Sequence, residues 1–277
     1  MHASRESPAE ELKSRLRPSA FIRGSVAWHV AAAGALLVRP HLWPWALSAV
    51  VANHLALTAA GLWPRATLLG PNLTRLPPGA AARGEVALTI DDGPDPEVTP
   101  AVLALLDKHA ARASFFCVGE RIAANPPLAR EIVARGHNVE NHSQRHLHRF
   151  SLLGPRALRA EIGGAQESIA FATGAAPRFF RAPAGLRNPF LEPQLARAGL
   201  TLVSWTRRGF DTVSPDPDRV LARLTRGLRG GDILLLHDGH ARRTAGGAPV
   251  ILEVLPRLLA AVRAAGLTPV TLRAACP

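Results

Sequence analysis

The sequence is short of cysteine and of acidic residues. It contains two cysteines, Cys117 in the apolar run ASFFCVG and Cys276 as the last residue but one, which excludes a disulfide-stabilised scaffold. We expect one buried thiol and one free thiol, in keeping with a reducing compartment. With 47% hydrophobic and only 19% charged residues, the composition excludes a disordered chain and is typical of a globular enzyme with some membrane character.

The shortage of acidic residues leaves a net charge of +12. A basic surface attracts nucleic acid, anionic membranes or anionic substrates. The arginines are spread along the chain, and no helix-turn-helix, zinc-finger or RNA-binding motif is present, so we expect no nucleic-acid partner. Attraction to acidic lipid headgroups is favoured instead.

Two apolar stretches follow a basic N-terminal segment at residues 1–23. The stretch at residues 24–38 is short, whereas the stretch at residues 42–63 is long enough to span a bilayer as a helix. Tryptophans lie near the edges of both stretches, as in an interfacial belt: Trp28, Trp43, Trp45 and Trp63. We expect residues 24–63 to form a membrane-anchoring hairpin of two helices that turns at residues 39–41. Two helices packed on a soluble domain and a cleaved signal peptide are the alternatives.

The positive charges predict the orientation of this hairpin. Five basic residues precede it, and Arg65, Arg75 and Arg83 follow it. The turn carries only Arg39. Because positive flanks stay in the cytoplasm, a hairpin places the rest of the chain on the cytoplasmic face of a bacterial-type inner membrane. If only the second stretch spans, the rest lies on the extracytoplasmic face.

Residues 64–84 are rich in proline and glycine and are expected to link the hairpin to a domain at residues 85–277. In that domain, strand patterns alternate with helical patterns. The strand patterns are at residues 86–90, 112–118, 137–141, 178–182, 200–205, 232–237 and 268–272. The helical patterns are at residues 99–109, 127–135, 155–172, 190–198, 216–229 and 249–265. The alternation predicts an α/β fold with a parallel sheet covered on both faces and with its chemistry at the carboxyl ends of the strands.

Two motifs at such strand ends contain potential metal ligands. TIDDGPDP follows the first strand and presents Asp91 and Asp92, which point differently and can therefore take different tasks. NHSQRH follows the third strand, and a helical turn would place His142 and His146 on one face, where they could hold one ion. Each motif alone is also compatible with a solvated turn or loop.

Further polar residues end three other strands. Arg181 follows the fourth strand, where an arginine can pair with an aspartate and keep it ionised. His237 ends the apolar sixth strand and carries an imidazole suited to proton transfer. Asp238 and His240 are alternatives for that task. Asp211, after the fifth strand, can orient the histidine as a supporting carboxylate.

In order, the motifs TIDDGP, NHSQRH, RAPAG, W…D and LLLHD resemble those of the polysaccharide deacetylase family, also called the NodB-homology domain or carbohydrate esterase family 4. The resemblance covers residues 85–275 and implies a distorted (β/α)7 barrel. It implies a metal-dependent hydrolase of carbon–nitrogen bonds that removes an N-acetyl or other N-acyl group from an amino sugar. Asp92, His142 and His146 correspond to the metal ligands, for Zn²⁺ or another divalent ion such as Co²⁺.

The same resemblance implies the residues that move protons. Asp91 corresponds to the general base that activates water, and Arg181 to the partner that orients this base. His237 corresponds to the general acid that protonates the leaving amine, and Asp211 to its supporting carboxylate. An acid is needed at that position because an amide does not readily expel an unprotonated amine.

Ala184, Leu235 and Trp205 correspond to substrate-binding positions. The chain departs from the family where aromatic residues are common, since Ala184 and Thr212 stand there and tyrosine is absent from the sequence. Aromatic rings grip the sugar units of polymers, so their loss argues against a long glycan. Arg208 stands where an acidic residue is common. Further arginines favour an anionic substrate such as a lipid-linked or nucleotide-linked sugar: Arg187, Arg207, Arg242 and Arg243.

Two other functions are compatible with these motifs. One is a catalytically silent, membrane-bound protein that binds a glycan or lipid on the same fold. The presence of both Asp91 and His237 argues against it, because a binding module needs neither a base nor an acid. The other is the same hydrolysis directed at a non-sugar amide.

Overall fold

The computed structural model describes residues 15–277. Residues 1–14 of the predicted basic segment lie outside the described residues. The α-helices are α1 (Ala20–Val38), α2 (Trp43–Leu62), α3 (Pro78–Ala82), α4 (Thr99–Lys108), α5 (Gly119–Ala124), α6 (Pro126–Ala134), α7 (Pro155–Thr173), α8 (Leu191–Arg197), α9 (Pro217–Thr225), α10 (Val250–Ala264) and α11 (Leu272–Ala275). Short 3₁₀ turns occupy Pro40–Leu42, Phe150–Leu152 and Pro183–Gly185.

The strands form one curled, parallel sheet. They are β1 (Glu85–Asp91), β2 (Ser114–Cys117), β3 (Asn138–Asn141), β4 (Phe179–Phe180), β5 (Thr201–Leu202), β6 (Arg207–Arg208), β7 (Ile233–His237) and β8 (Thr268–Val270). Their order is β5-β4-β3-β2-β1-β7-β6, and β8 pairs with β1. This confirms the distorted barrel with a parallel sheet. The count differs by one, because β6 consists of two arginines and has none of the apolar pattern that marks a strand.

The centre of the sheet is buried on both faces, as its continuous apolar strands predict. Ile90 and Leu236 are among the core residues that pack beneath α4 and α10, while Leu235 and Phe116 belong to the cluster on the other face. The register of the strands decides which side chains meet. Asp91 lies beside Phe116 on one side and beside His237 on the other. The carboxyl ends of β1 and β7 therefore open at the same edge of the sheet.

Helices α1 and α2 form an antiparallel hairpin through the 3₁₀ turn at Pro40–Leu42. Three polar contacts join them: Trp28 Nε1 donates to the Ala49 carbonyl at 3.1 Å, Asn53 donates to Ser25 Oγ at 2.7 Å, and His29 meets His54. Both helices are long and apolar enough to cross a membrane, and little of their surface is buried in the protein. An apolar helix surface that the protein itself does not bury is typical of a site that contacts a membrane or another protein.

The segment expected as a linker, residues 64–84, packs on the domain. Its Leu73 pairs with Val203 beyond β5, and Leu69 and Leu76 are buried. The backbone N–H of Arg187 donates to the Gly61 carbonyl at the end of α2 at 3.1 Å. The Arg187 guanidinium also donates to carbonyls of the segment. Hydrogen bonds from Arg187 therefore connect both the end of the hairpin and the segment after it to the domain.

Candidate active site

Two adjacent carboxylates leave the end of β1 in different directions. Asp91 ends the strand, whereas Asp92 has a φ of 74°, which turns the chain sharply after it. Asp91 Oδ1 accepts a hydrogen bond of 2.6 Å from the Arg181 guanidinium. Asp92 Oδ1 lies 3.1 Å from His142 Nε2 and 3.2 Å from His146 Nε2. The backbone thus separates the two acids into different environments.

Arg181 is fully buried behind Asp91 and is held on every side. Its guanidinium donates to Asp91, to Thr89 Oγ1 at 2.8 Å and to the carbonyls of Val203 and Ser204. The ring of Phe116 lies 4.1 Å from the guanidinium carbon. A buried cation with this many acceptors has little freedom, so it fixes the orientation of Asp91.

The two histidines of NHSQRH converge on Asp92 from a loop. The sequence predicted a helical turn, and this is wrong, because Ser143 and His146 have φ values of 65° and 51°. Those left-handed residues fold the loop back and bring both imidazoles to the carboxylate. His142 Nδ1 donates to the Arg181 carbonyl at 2.8 Å. Since a carbonyl only accepts, Nδ1 carries a proton, and Nε2 is the nitrogen that faces Asp92 and is available as a metal ligand.

Asp92, His142 and His146 have the dimensions of a metal site. One ligand atom from each lies within 4.8 Å of the others, and carboxylate with imidazole suits Zn²⁺ and several other divalent ions. Burial, together with the nearby His142, lowers the pKa of His146 to about 4. Burial alone would raise the pKa of Asp92, but hydrogen bonds with His142 and His240 hold it well below the ordinary value. At neutral pH the candidate metal site therefore contains an ionised Asp92 and a neutral His146.

His237 ends β7 beside Asp91 and pairs with a buried aspartate. Asp211 Oδ1 is 2.9 Å from His237 Nδ1, and Asp211 Oδ2 accepts the backbone N–H of His237 at 2.7 Å. Burial alone would lower the pKa of His237, but Asp211, Asp91 and Asp92 outweigh it and raise this pKa above the ordinary value. The imidazole therefore favours its protonated form.

The two alternatives to His237 have other partners. His240 Nδ1 lies 2.9 Å from Asp92 Oδ2, so this histidine is paired with a carboxylate of the candidate metal site. Asp238 is buried and accepts a hydrogen bond from Thr99. Burial raises the pKa of Asp238 to about 7.

One cavity of about 450 Å³ connects these groups. The three predicted substrate-binding residues, Ala184, Leu235 and Trp205, line it together with Asp91, Asp92, His142, His146 and His237. Arg181 and Asp211 lie behind this lining. Among the lining residues, Ala184 has a left-handed backbone conformation, with a φ of 54°. The sequence therefore located residues that the structure brings to one cleft.

The arginines of the cleft differ from those that the sequence singled out. Of the five, Arg208 alone lines the cavity. Arg187 holds the segment after the hairpin, Arg207 pairs with Asp232 at 2.5 Å, and Arg243 pairs with Glu97. The cavity adds two arginines that sequence reasoning missed, Arg121 and Arg145. Arg145 lies inside the NHSQRH motif, of which only the histidines were singled out, and Arg121 lies in α5, shortly after β2.

Comparison with known proteins agrees with this arrangement. The model of the family described as Polysaccharide deacetylase matches residues 79–203. A chitooligosaccharide deacetylase from Bradyrhizobium sp. (strain ANU 289) is 39% identical over 156 residues, which are 56% of this chain and 71% of the relative. A peptidoglycan-N-acetylglucosamine deacetylase from Bacillus cereus is 32% identical over 175 residues, 62% of this chain and 81% of the relative. The chain belongs to the polysaccharide deacetylase family.

Solved structures show the same fold. The family 4 carbohydrate esterase from Streptomyces lividans, in complex with acetate, is 34% identical with a TM-score of 0.61, over 67% of this chain and 91% of that chain. BA3943 from Bacillus anthracis, described as a CE4 family pseudoenzyme, is 25% identical with a TM-score of 0.65, over 73% of this chain and 68% of that chain. The fold is thus shared by a named esterase and a named pseudoenzyme, and the fold alone does not determine activity.

Proposed function

We propose that this protein is a membrane-anchored, metal-dependent hydrolase that removes the N-acetyl, or another N-acyl, group from an amino sugar. The observation that carries the proposal is the convergence of a carboxylate paired with arginine, an Asp-His-His cluster and a histidine paired with aspartate on one cavity. Chitooligosaccharides and peptidoglycan N-acetylglucosamine, the substrates named for the relatives, define the chemical class.

Asp92, His142 and His146 are the residues that would hold the metal. Their size and donor types fit Zn²⁺, with Co²⁺ as an alternative. When bound, such an ion supplies Lewis acidity toward the carbonyl oxygen of the amide and toward water. The second bond of His142, to the Arg181 carbonyl, orients the ring and is the kind of outer contact that metal-binding histidines use.

Asp91 and His237 move the protons. Asp91, oriented by the Arg181 guanidinium, takes a proton from the attacking water. His237, kept protonated by Asp211, gives a proton to the nitrogen of the leaving amine. Asp91 and His237 are register partners on β1 and β7, so the two groups face the same reacting amide from neighbouring strands.

Three residues form the walls around that amide. We propose that the backbone N–H at Ala184 stabilises the negative charge that develops on the carbonyl oxygen. Leu235 provides an apolar surface for the acyl methyl group. Trp205 packs beside the sugar. The small side chain at Ala184 leaves this side of the cleft open.

We propose the following division of the chain: a basic segment at residues 1–23, membrane-anchoring helices within residues 24–63, a connecting segment at residues 64–84 and the catalytic domain at residues 85–277. The apolar and largely uncovered surfaces of α1 and α2 support the anchor. The positive flanks favour the cytoplasmic face of a bacterial-type inner membrane for the catalytic domain. The extracytoplasmic face is the alternative if one helix alone spans.

Acetate release tests the activity. The full chain in detergent micelles would be given N-acetylglucosamine oligosaccharides, and acetate would be measured before chelation, after chelation and after addition of Zn²⁺. We expect release that stops with the chelator and returns with the ion. Asp218→Asn, at an exposed carboxylate far from the cavity, is the matched control and should release acetate at the wild-type rate. Release that persists fully in the chelator would contradict metal dependence.

A catalytically silent binding protein is the second candidate. The similarity to a pseudoenzyme and the missing aromatic residues favour it. It predicts saturable glycan or lipid binding with no acetate released by the metal-loaded protein. The paired sets Asp91–Arg181 and His237–Asp211 argue for the enzyme, because binding alone does not require two buried proton-transfer groups with such partners.

A further inference from the structure

Arg208 is a cation of the catalytic cleft that has no acceptor among residues 15–277. The other cleft arginines are bonded: Arg145 pairs with Glu161 at 2.6 Å, and Arg121 contacts the Gly239 carbonyl and His240. Arg208 makes no side-chain hydrogen bond or ion pair with the described residues, and its Nε is buried without a partner. A buried donor on a cation is costly unless an acceptor meets it. An anionic part of the substrate would be such an acceptor.

The position of this guanidinium is set by its surroundings. Arg208 lies on β6, whose backbone pairs with Leu235 on β7. The guanidinium carbon is 5.3 Å from the centre of the Trp205 ring and 5.0 Å from that of Phe210. Cation–π contacts on two rings hold the planar group while leaving its edge free for hydrogen bonds. Such an edge matches the paired oxygens of a phosphate.

A second cavity of about 380 Å³ meets the catalytic cavity at Arg208 and Trp205. We call it the junction groove. Its lining consists of Trp63, Pro64, Arg65, Trp205, Thr206, Arg208 and Phe210. Trp63 directly follows α2, so the groove runs from the end of the hairpin to the catalytic cleft. It contains two arginines and three aromatic rings, and both Trp63 and Phe210 are well exposed.

We infer that the substrate is an amino sugar attached through phosphate to a membrane lipid. Arg208, with Arg65 beside it, binds the phosphate in the junction groove. The N-acyl sugar then extends into the catalytic cavity, and the lipid chain leaves past Trp63 into the bilayer. Tryptophan and arginine at the end of a membrane helix are typical of the headgroup level. The inference rests on the proposed deacylation and on the proposed anchor, and it names the substrate class of that same site.

Matched substrates test the inference on the full chain in detergent micelles with Zn²⁺. They are N-acetylglucosamine joined to a short isoprenol through phosphate, the same isoprenyl glycoside without phosphate, and UDP-N-acetylglucosamine. We expect wild-type kcat/KM to be about tenfold to a hundredfold higher for the first than for the second, as for hydrogen bonds to a charged group. Arg208→Gln should remove most of this preference. Arg223→Gln is the matched control, because Arg223 stacks on the same Phe210 ring at 5.3 Å but lines neither cavity; it should keep the preference.

Calorimetric titration with the isoprenyl phosphate alone gives a readout that needs no catalysis. Binding should weaken by a similar factor in Arg208→Gln and stay unchanged in Arg223→Gln. Equal kcat/KM for the two isoprenyl substrates, or binding unaffected by Arg208→Gln, would overturn the inference. UDP-N-acetylglucosamine turned over as well as the lipid phosphate would overturn its membrane part. If the phosphate binds through Arg208 while no substrate releases acetate, the phosphate site stands and the proposed deacylation fails.

Discussion

Asp211 contacts His237 twice, with Oδ1 at 2.9 Å from the imidazole Nδ1 and with Oδ2 at 2.7 Å from the backbone nitrogen. Because carboxylate oxygens only accept, Nδ1 carries a proton, and Nε2 is the nitrogen that can exchange a proton with a substrate. Asp211 is fully buried, so water screens this pair little. The aspartate therefore sets both the orientation of the imidazole and its charge.

The first prediction concerns Asp211→Asn. The pKa of His237 is raised above its ordinary value because Asp211 outweighs the effect of burial. A general acid works when protonated, so activity is lost as the pH rises through this pKa. Removing the charge of Asp211 lowers the pKa, and the alkaline limb of kcat/KM should move to lower pH, with a lower maximum because general acid catalysis contributes about 10²- to 10⁴-fold. An alkaline limb at the wild-type pH would contradict the assignment of His237.

The second prediction concerns the buried pair Arg181–Asp91. Arg181→Met removes the guanidinium but keeps much of its length, and it leaves the Asp91 charge buried without its partner. Breaking a buried ion pair in this way costs about 3–5 kcal/mol, so the thermal midpoint should fall. The double variant Arg181→Met, Asp91→Asn removes both charges and should recover part of that loss. Equal midpoints for the single and double variants would show that the Asp91 charge is not what destabilises the protein.

The third prediction concerns Asp238. Burial raises the pKa of its carboxyl group to about 7. The folded protein therefore holds this proton more tightly than the unfolded chain does. The associated stability is fully present below the unfolded pKa of about 4 and is lost as the pH rises to about 7. Asp238→Asn keeps an acceptor for Thr99 but carries no charge. Its thermal midpoint should exceed that of the wild type at pH 8 by more than at pH 5; an equal difference at both pH values would contradict the buried-charge explanation.

The fourth prediction concerns the side of the membrane. A reporter that is active on only one side would be fused after Pro277. With both helices spanning, we expect a cytoplasmic signal, which fits a lipid-linked precursor as the substrate. An external signal would contradict the orientation drawn from the charges and would move peptidoglycan or a secreted polysaccharide to the front as substrate. If the fusion protein does not bind the membrane at all, the proposed membrane anchor is wrong.

The regular elements of the domain were predictable because local signals mark them. The pattern at residues 155–172 appears as the helix Pro155–Thr173, which begins at a proline and ends before Gly174, a left-handed cap with a φ of 73°. The apolar run at residues 86–90 lies within Glu85–Asp91. Local apolar periodicity and capping residues suffice for such elements.

Other features depend on contacts that local patterns do not encode. Strand β6 consists of Arg207 and Arg208 and exists because it pairs with β7. The loop that carries His142 and His146 takes its shape from positive φ values, so the spacing of four identified the pair but assigned it the wrong local structure. Residues 64–84 have the composition of a linker, yet they are held by the guanidinium of Arg187 from more than a hundred residues away.

The division of tasks between Asp91 and Asp92 is the central claim. Zn²⁺ binding by calorimetry and acetate release would be measured together for Asp91→Asn and Asp92→Asn. We predict that Asp91→Asn binds Zn²⁺ nearly as the wild type does and releases no acetate, because it keeps the ligands but loses the base. Asp92→Asn should lose Zn²⁺ binding together with activity. Zn²⁺ binding lost equally in both variants, or acetate release retained by Asp91→Asn, would contradict the account.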